Sequence, residues 1–199
     1  MDDSGTTRLE TFSDGVFAIA ATLLVLEIGI DSSGAHNLGQ ALLDLWPSYL
    51  AYVTSFITIG IIWMNHHFCV ETIARSDRTH MFLNLLLLLT VSFLPFPTRL
   101  VAEYLQKPGE QTAVYAYAAT FVVMSVIYNL WWRYASTNRR LIGENVPDSR
   151  VRAITRAFNP GVPIYAVTLL VAVFSPLASV FLTFAIAAFY LPSAALFER

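Results

Sequence analysis

Charge is scarce in this chain: Asp, Glu, Lys and Arg make up 13% of its 199 residues. Soluble domains carry about a quarter. A soluble fold of this length can bury one good core, but it needs far more polar surface than this chain supplies. Hydrophobic residues make up 56%, and the mean hydropathy is +0.57. The class that remains is an integral membrane protein. A net charge of -2 excludes a broadly basic surface, so no nucleic-acid partner is expected. Cysteine is nearly absent. Cys69 stands alone, forms no internal disulfide and implies no oxidising compartment. A basic leader is missing too: the first fourteen residues hold Asp2, Asp3, Arg8, Glu10 and Asp14. The first apolar run is therefore expected to stay in the mature protein.

What the chain has in quantity is long apolar runs. A helix needs roughly 20 apolar residues to cross about 30 Å of hydrocarbon. Four runs fit one span each, and the fifth, from Ala157 to Phe197, is 41 residues without a formal charge. At about 1.5 Å per residue it is twice too long for one crossing. Ser175-Pro176 is the best break, because the residue before proline is pushed out of the α region. The expectation is an all-α fold of six transmembrane helices, over residues 9–31, 43–70, 79–103, 111–135, 157–175 and 177–197. Residues 136–156 form a basic linker whose arginines lie where anionic lipid headgroups begin. With six spans, ten of the twelve Lys and Arg residues fall on the side of the termini, and only Arg99 and Lys107 fall on the other. Basic residues favour the cytoplasmic face, which puts both ends in the cytoplasm and the protein in the cell membrane.

The start of the first span is the most informative stretch. Arg8, Phe12, Ser13 and Asp14 lead into a long apolar helix. A carboxylate at the edge of hydrocarbon is costly unless it is paired or hydrated. One reading of Ser13 and Asp14 is a helix cap with a surface ion pair to Arg8. The other is a buried polar network with donors from neighbouring helices. Asn65, His66, His67 and Asn84 stand at the same depth on the second and third spans. Adjacent helix positions differ by about 100°, so which histidine turns towards Asp14 stays open. A histidine there makes activity sensitive to pH. Further along the first span, Ile19, Thr22, Leu23 and Leu26 share one face. By itself that stripe fits a lipid-facing surface equally well.

These residues resemble the transmembrane protein 175 family, the endolysosomal potassium channels and their prokaryotic relatives. The Arg-x-x-x-Phe-Ser-Asp pattern is matched by Arg8, Phe12, Ser13 and Asp14. Trp63-Met64-Asn65-His66-His67-Phe68 and the segment from Asn84 to Thr98 are similar as well. The resemblance implies a pore lined by the first helix, with Ile19 at the constriction and Thr22, Leu23 and Leu26 as further rings. It implies a homotetramer in the lipid bilayer, because this chain carries a single repeat, and closed cyclic symmetry suits that arrangement. It also implies potassium as the permeant ion, no cofactor, no resident metal, no catalytic residue and no enzymatic activity, and it extends to proton permeation.

The chain has no Thr-Val-Gly-Tyr-Gly loop and no arginine ladder inside a span, so a carbonyl filter and the usual voltage sensor are both excluded. An apolar ring remains as the gate and selectivity element, with modest preference for potassium over sodium. Two rivals stand beside this reading. A proton-linked secondary transporter could use Asp14 and the histidines, although no repeat or mid-membrane break supports it. A metalloenzyme built on His67 and Glu71 lacks a third ligand.

Overall fold

The computed structural model describes the backbone of residues 3–29 and 38–196, and the side chains of residues 6–29 and 38–191. Residues 30 and 31 of the expected first span and residue 197 of the expected last span lie outside the described residues. The architecture is all-α. Helix α1 runs Asp3–Leu23 and tightens into a 3-10 turn, Leu24–Glu27. Then follow α2 (Leu38–Asp44), α3 (Trp46–Val70), α4 (Arg78–Phe93), α5 (Pro95–Tyr104), α6 (Glu110–Ser136), α7 (Asp148–Phe158), α8 (Gly161–Phe174) and α9 (Pro176–Leu196). Five helical segments among the described residues are long and apolar enough to cross a membrane: Thr6–Glu27, Trp46–Val70, Arg78–Tyr104, Glu110–Arg139 and Asp148–Phe174. The apolar stretch Pro176–Leu191 is shorter.

Local chemistry sets the helix ends. Pro47 occupies the first turn of α3, where a missing N–H costs nothing. Asp77 caps α4 by accepting from the His80 backbone N–H at 2.8 Å. Pro95 and Pro97 divide the third apolar stretch into α4 and α5, with Leu94 at the junction. Gly109 caps the start of α6 at φ 100°, a conformation that glycine tolerates best. Ser175 is extended, φ -153° and ψ 101°, and separates α8 from α9.

The core forms where α1, α3, α4, α5 and α6 meet. Phe17, Ala20 and Leu24 are the buried stripe of α1, and Leu87, Val91, Phe121 and Met124 bury against the same centre. Lipid tails are as apolar as leucine, so burial of grease alone does not drive these helices together; close packing and interhelical hydrogen bonds do. Ser55 of α3 supplies such bonds, reaching the Thr98 hydroxyl of α5 at 2.8 Å and the Tyr117 hydroxyl of α6 at 3.0 Å. Trp131 and Trp132 belong to this core and are fully buried. They are not interfacial anchors, although they stand near a span end in the sequence. Trp131 stacks with His66 at 4.8 Å and His80 at 5.2 Å.

At the arginine-rich end, the loop after α3 is stitched to the loop after α6. Ala74 N donates to Leu141 O and Gly143 N to Thr72 O, both at 3.0 Å. Arg139 reaches the carbonyls of Gly143 and Val146 and pairs with Asp148 at the start of α7. The linker is thus ordered around one guanidinium. Amphipathic α7 then packs Ile154 and Phe158 inward while Arg152 and Arg156 stay exposed.

Candidate functional site

Helix α1 begins at Asp3, eleven residues before Asp14, so Ser13 and Asp14 lie inside a helix and cap nothing. The capping reading is therefore set aside. The helix has two contrasting faces. Thr6, Ser13, Phe17, Ala20 and Leu24 are buried, at spacings of three, four and seven. Opposite them, Phe12, Ile19, Thr22, Leu23 and Leu26 are exposed in the single chain, with Ile19 at 61%, Leu23 at 42% and Leu26 at 73%. The exposed face continues through Arg8, Thr11, Gly15 and Ala18, so it runs the length of the helix. The Thr22 hydroxyl donates to Ile19 O at 2.9 Å, which satisfies it along its own helix.

A polar chain holds the buried face. The Ser13 hydroxyl donates to Leu9 O at 2.8 Å and accepts from Asn84 Nδ2 at 3.0 Å. Asn84 Oδ1 in turn accepts from His66 Nε2 at 2.8 Å, which assigns the proton of that imidazole to Nε2. All three side chains are buried, and they come from α1, α4 and α3. Phe17 tilts against the His66 ring with centroids 5.5 Å apart. One hydroxyl and one carboxamide thus lock α1 in rotation against two neighbours, where an unpaired polar group is expensive.

Asp14 takes a different partner. Trp63 Nε1 donates to its Oδ1 at 2.9 Å, and no histidine bonds to it among the described residues. His67 turns outwards from this core. Its Nδ1 lies 3.0 Å from Glu10 Oε1 and its Nε2 lies 3.6 Å from Glu71 Oε1. Glu71 also pairs with Arg150 of α7 at 2.9 Å. The four groups form a ladder from α1 across α3 to α7. Glu10 had no part in the sequence expectation; its position four residues before Asp14 is the only signal that could have found it. Arg8 is exposed and makes no ion pair with Asp14 among the described residues. Asn65 does not join the network; it lines a cavity between α3, α6 and α8. The opposite end of α1 is held by Glu27, 3.9 Å from Arg99, which also binds Glu103 at 2.7 Å.

Among the described residues, no group of three His, Cys, Asp or Glu side chains could hold a metal. Cys69 is buried, with its sulfur 3.6 Å from the Tyr128 hydroxyl. The arrangement around Asp14 is a hydrogen-bonded one, with Trp63 on the carboxylate and Asn84 on the neighbouring Ser13. What it offers is a rotationally fixed helix that presents one continuous, mostly apolar face.

Comparison with known proteins bears on what that face does. The family model described as "Endosomal/lysosomal potassium channel TMEM175" matches residues 8–95. A potassium channel of Chamaesiphon minutus is 44% identical over 169 residues, which are 83% of this chain and 83% of that protein. A potassium channel of Streptomyces collinus is 43% identical over 172 residues, 85% of this chain and 82% of its own length. Among solved structures, a lysosomal potassium-selective channel TMEM175 homolog from Chamaesiphon minutus superposes with a TM-score of 0.88 at 40% identity. That match covers 96% of this chain and 99% of the other.

Proposed function

The chain belongs to the TMEM175 family, and on that premise we propose that it is a potassium-conducting cation channel, a homotetramer whose four α1 helices line one pore. The observation that carries this reading is the exposed α1 stripe of Ile19, Thr22, Leu23 and Leu26, set opposite the face locked by Ser13, Asn84 and His66. A helix pinned so firmly on one side is a good wall for a permeation path on the other.

The proposal includes six crossings. The five long apolar segments and the 21-residue α9 support that count, since 21 residues span about 31 Å. The arginine-rich end, with both termini, is assigned to the cytoplasmic side of the cell membrane by the positive-inside rule.

Ions meet Asp14 and Trp63 near the wide end and Ile19 at the narrow one. The Ile19 ring gates by dewetting: a narrow apolar bore excludes water until it widens. Selection follows from the cost of shedding water there. Potassium holds its hydration shell less tightly than sodium, so the apolar ring impedes sodium more. Thr22 does not need its hydroxyl proton for ions; its oxygen still offers a lone pair beside the bore. Selectivity is accordingly modest.

Purified protein in liposomes, with potassium and sodium fluxes compared, tests the proposal. Wild type is expected to pass potassium faster than sodium. Ile19→Asn is expected to raise sodium flux and flatten the ratio, because a carboxamide ring stays wet. Unitary currents separate a channel from a proton-linked transporter. Absence of ion flux, or an Ile19→Asn protein with unchanged conductance and ratio, would remove the pore from α1.

A further inference from the structure

A feature that the α1 face leaves unexplained is a cavity of about 100 Å³ behind it, between α3, α6, α8 and α9. Its walls are mostly apolar, with Ile61, Phe121, Met124 and Ile186 among them. Two polar groups stand out. The Asn65 carboxamide of α3 lines this cavity and a smaller void beside Phe68, and it hydrogen-bonds to no described residue. The Tyr165 hydroxyl of α8 lines the cavity as well and likewise has no hydrogen-bond partner among the described residues. Stacking on Phe121, 5.3 Å between centroids and 13° between planes, holds the Tyr165 ring in place.

Both residues are half-buried, and an amide and a phenol without protein partners are costly beside hydrocarbon unless something pairs with them. The cavity also adjoins a second, apolar region. Ile164, Ile186 and Tyr190 line both the cavity and an apolar groove between α8 and α9, which holds Val167, Leu182 and Phe189. Val167 and Phe189 are exposed on the outer surface. A recess that carries two polar groups thus lies beside an apolar groove, the two sharing three side chains. Among the described residues, neither region has a charged lining residue. A headgroup carrying a phosphate or carboxylate would lie there without a cation, which the membrane interior penalises. A hydroxyl or ester carbonyl fits, because it matches one donor-acceptor phenol and one carboxamide.

We propose that the cavity and groove bind an uncharged membrane amphiphile of the diacylglycerol class. Its hydroxyl lies between Asn65 and Tyr165, and one acyl chain follows the groove between α8 and α9. The site needs only the membrane-embedded bundle, so it stands independently of ion conduction.

Native mass spectrometry of the full-length protein in detergent is the test, with dioleoylglycerol and dioleoylphosphatidylglycerol as probes of equal chain and different head. Retention of dioleoylglycerol is expected at concentrations where the anionic lipid is lost. Tyr165→Phe removes a single oxygen and is expected to weaken retention about three- to tenfold, the effect of one hydrogen bond. Asn65→Leu is expected to do the same. Should Asn65→Leu fail to fold, Tyr165→Phe decides alone. A diazirine at the acyl terminus is expected to label the peptides of α8 and α9 that face the groove. Equal retention of both lipids, full retention by folded Tyr165→Phe, labelling confined to other helices, or water alone in the cavity would each overturn the proposal.

Discussion

Asn84 carries more of the structure than its size suggests. It donates to Ser13 and accepts from His66, so three helices meet at one carboxamide. Replacing it with alanine leaves the His66 Nε2–H without a partner, and His66 Nδ1 already has none. The expected cost is about 1–3 kcal/mol, the range for stranding a buried donor. Removing both partners together is expected to cost less than the sum of the single changes, because the double variant strands nothing. Thermal unfolding of His66→Phe, Asn84→Ala and the double variant in detergent measures this. Strict additivity would mean that the chain from Ser13 to His66 is not coupled. This link was only partly legible. The sequence showed Asn65, His66, His67 and Asn84 at one depth, but a helix turns about 100° per residue. Depth therefore could not tell that His66 faces the core, His67 the Glu10 side and Asn65 a cavity. Trp63 as the donor to Asp14 is legible only afterwards, since an indole seven residues from the end of α3 reads equally well as an interfacial anchor.

At the scale of elements, the register of α4 against α6 depends on Asp77. Its Oδ1 accepts from His80 N and its Oδ2 from the Tyr134 hydroxyl at 2.8 Å. The backbone N–H of His80, ahead of the Tyr134 hydroxyl, holds this carboxyl below the usual carboxylate range. A depressed folded value means that the stabilisation is complete above about pH 4, the unfolded carboxylate value, and fades as pH falls through the lower folded value. Water reaches the carboxyl, so the pH effect is small. Asp77→Asn keeps a capping oxygen and is expected to lose little stability at pH 7. The advantage of wild type over that variant is expected to vanish as the pH of the melt is lowered from 5 to 2. Asp77→Ala removes the cap and is expected to cost about 1 kcal/mol at pH 7. An advantage that persists undiminished at pH 2 would assign the effect to shape and not to charge. Elements of this kind were largely legible. Composition and apolar runs pointed to the all-helical membrane class, and the break at Ser175-Pro176 was expected; the break at Pro95, inside the stretch 79–103 expected as one span, was not. The burial of Trp131 and Trp132 was not legible, because interfacial and core tryptophans look alike until the partner helices are placed.

For the whole molecule, the question is what covers the α1 stripe. Several other helices also expose apolar stripes, including Phe82, Leu85 and Leu89 on α4 and Val167 and Leu170 on α8. What sets the α1 stripe apart is the polar lock opposite it, from Ser13 through Asn84 to His66, and geometry between chains tests whether it lines a pore. If four α1 helices surround an axis at Ile19, the side chains at that position come close to one another, whereas Phe189 on α9 stays far from its copies. Cys69 is buried and will not compete for oxidant. Ile19→Cys is therefore expected to form disulfide-linked dimers under mild oxidation in liposomes, seen on a non-reducing gel, while Phe189→Cys stays monomeric. Native mass spectrometry of the wild type is expected to give four protomers. Dimers from Phe189→Cys and none from Ile19→Cys would turn the assembly inside out and put Ile19 against lipid. In that case the locked rotation of α1 would serve packing alone, and the ion path would have to run along another face of the bundle.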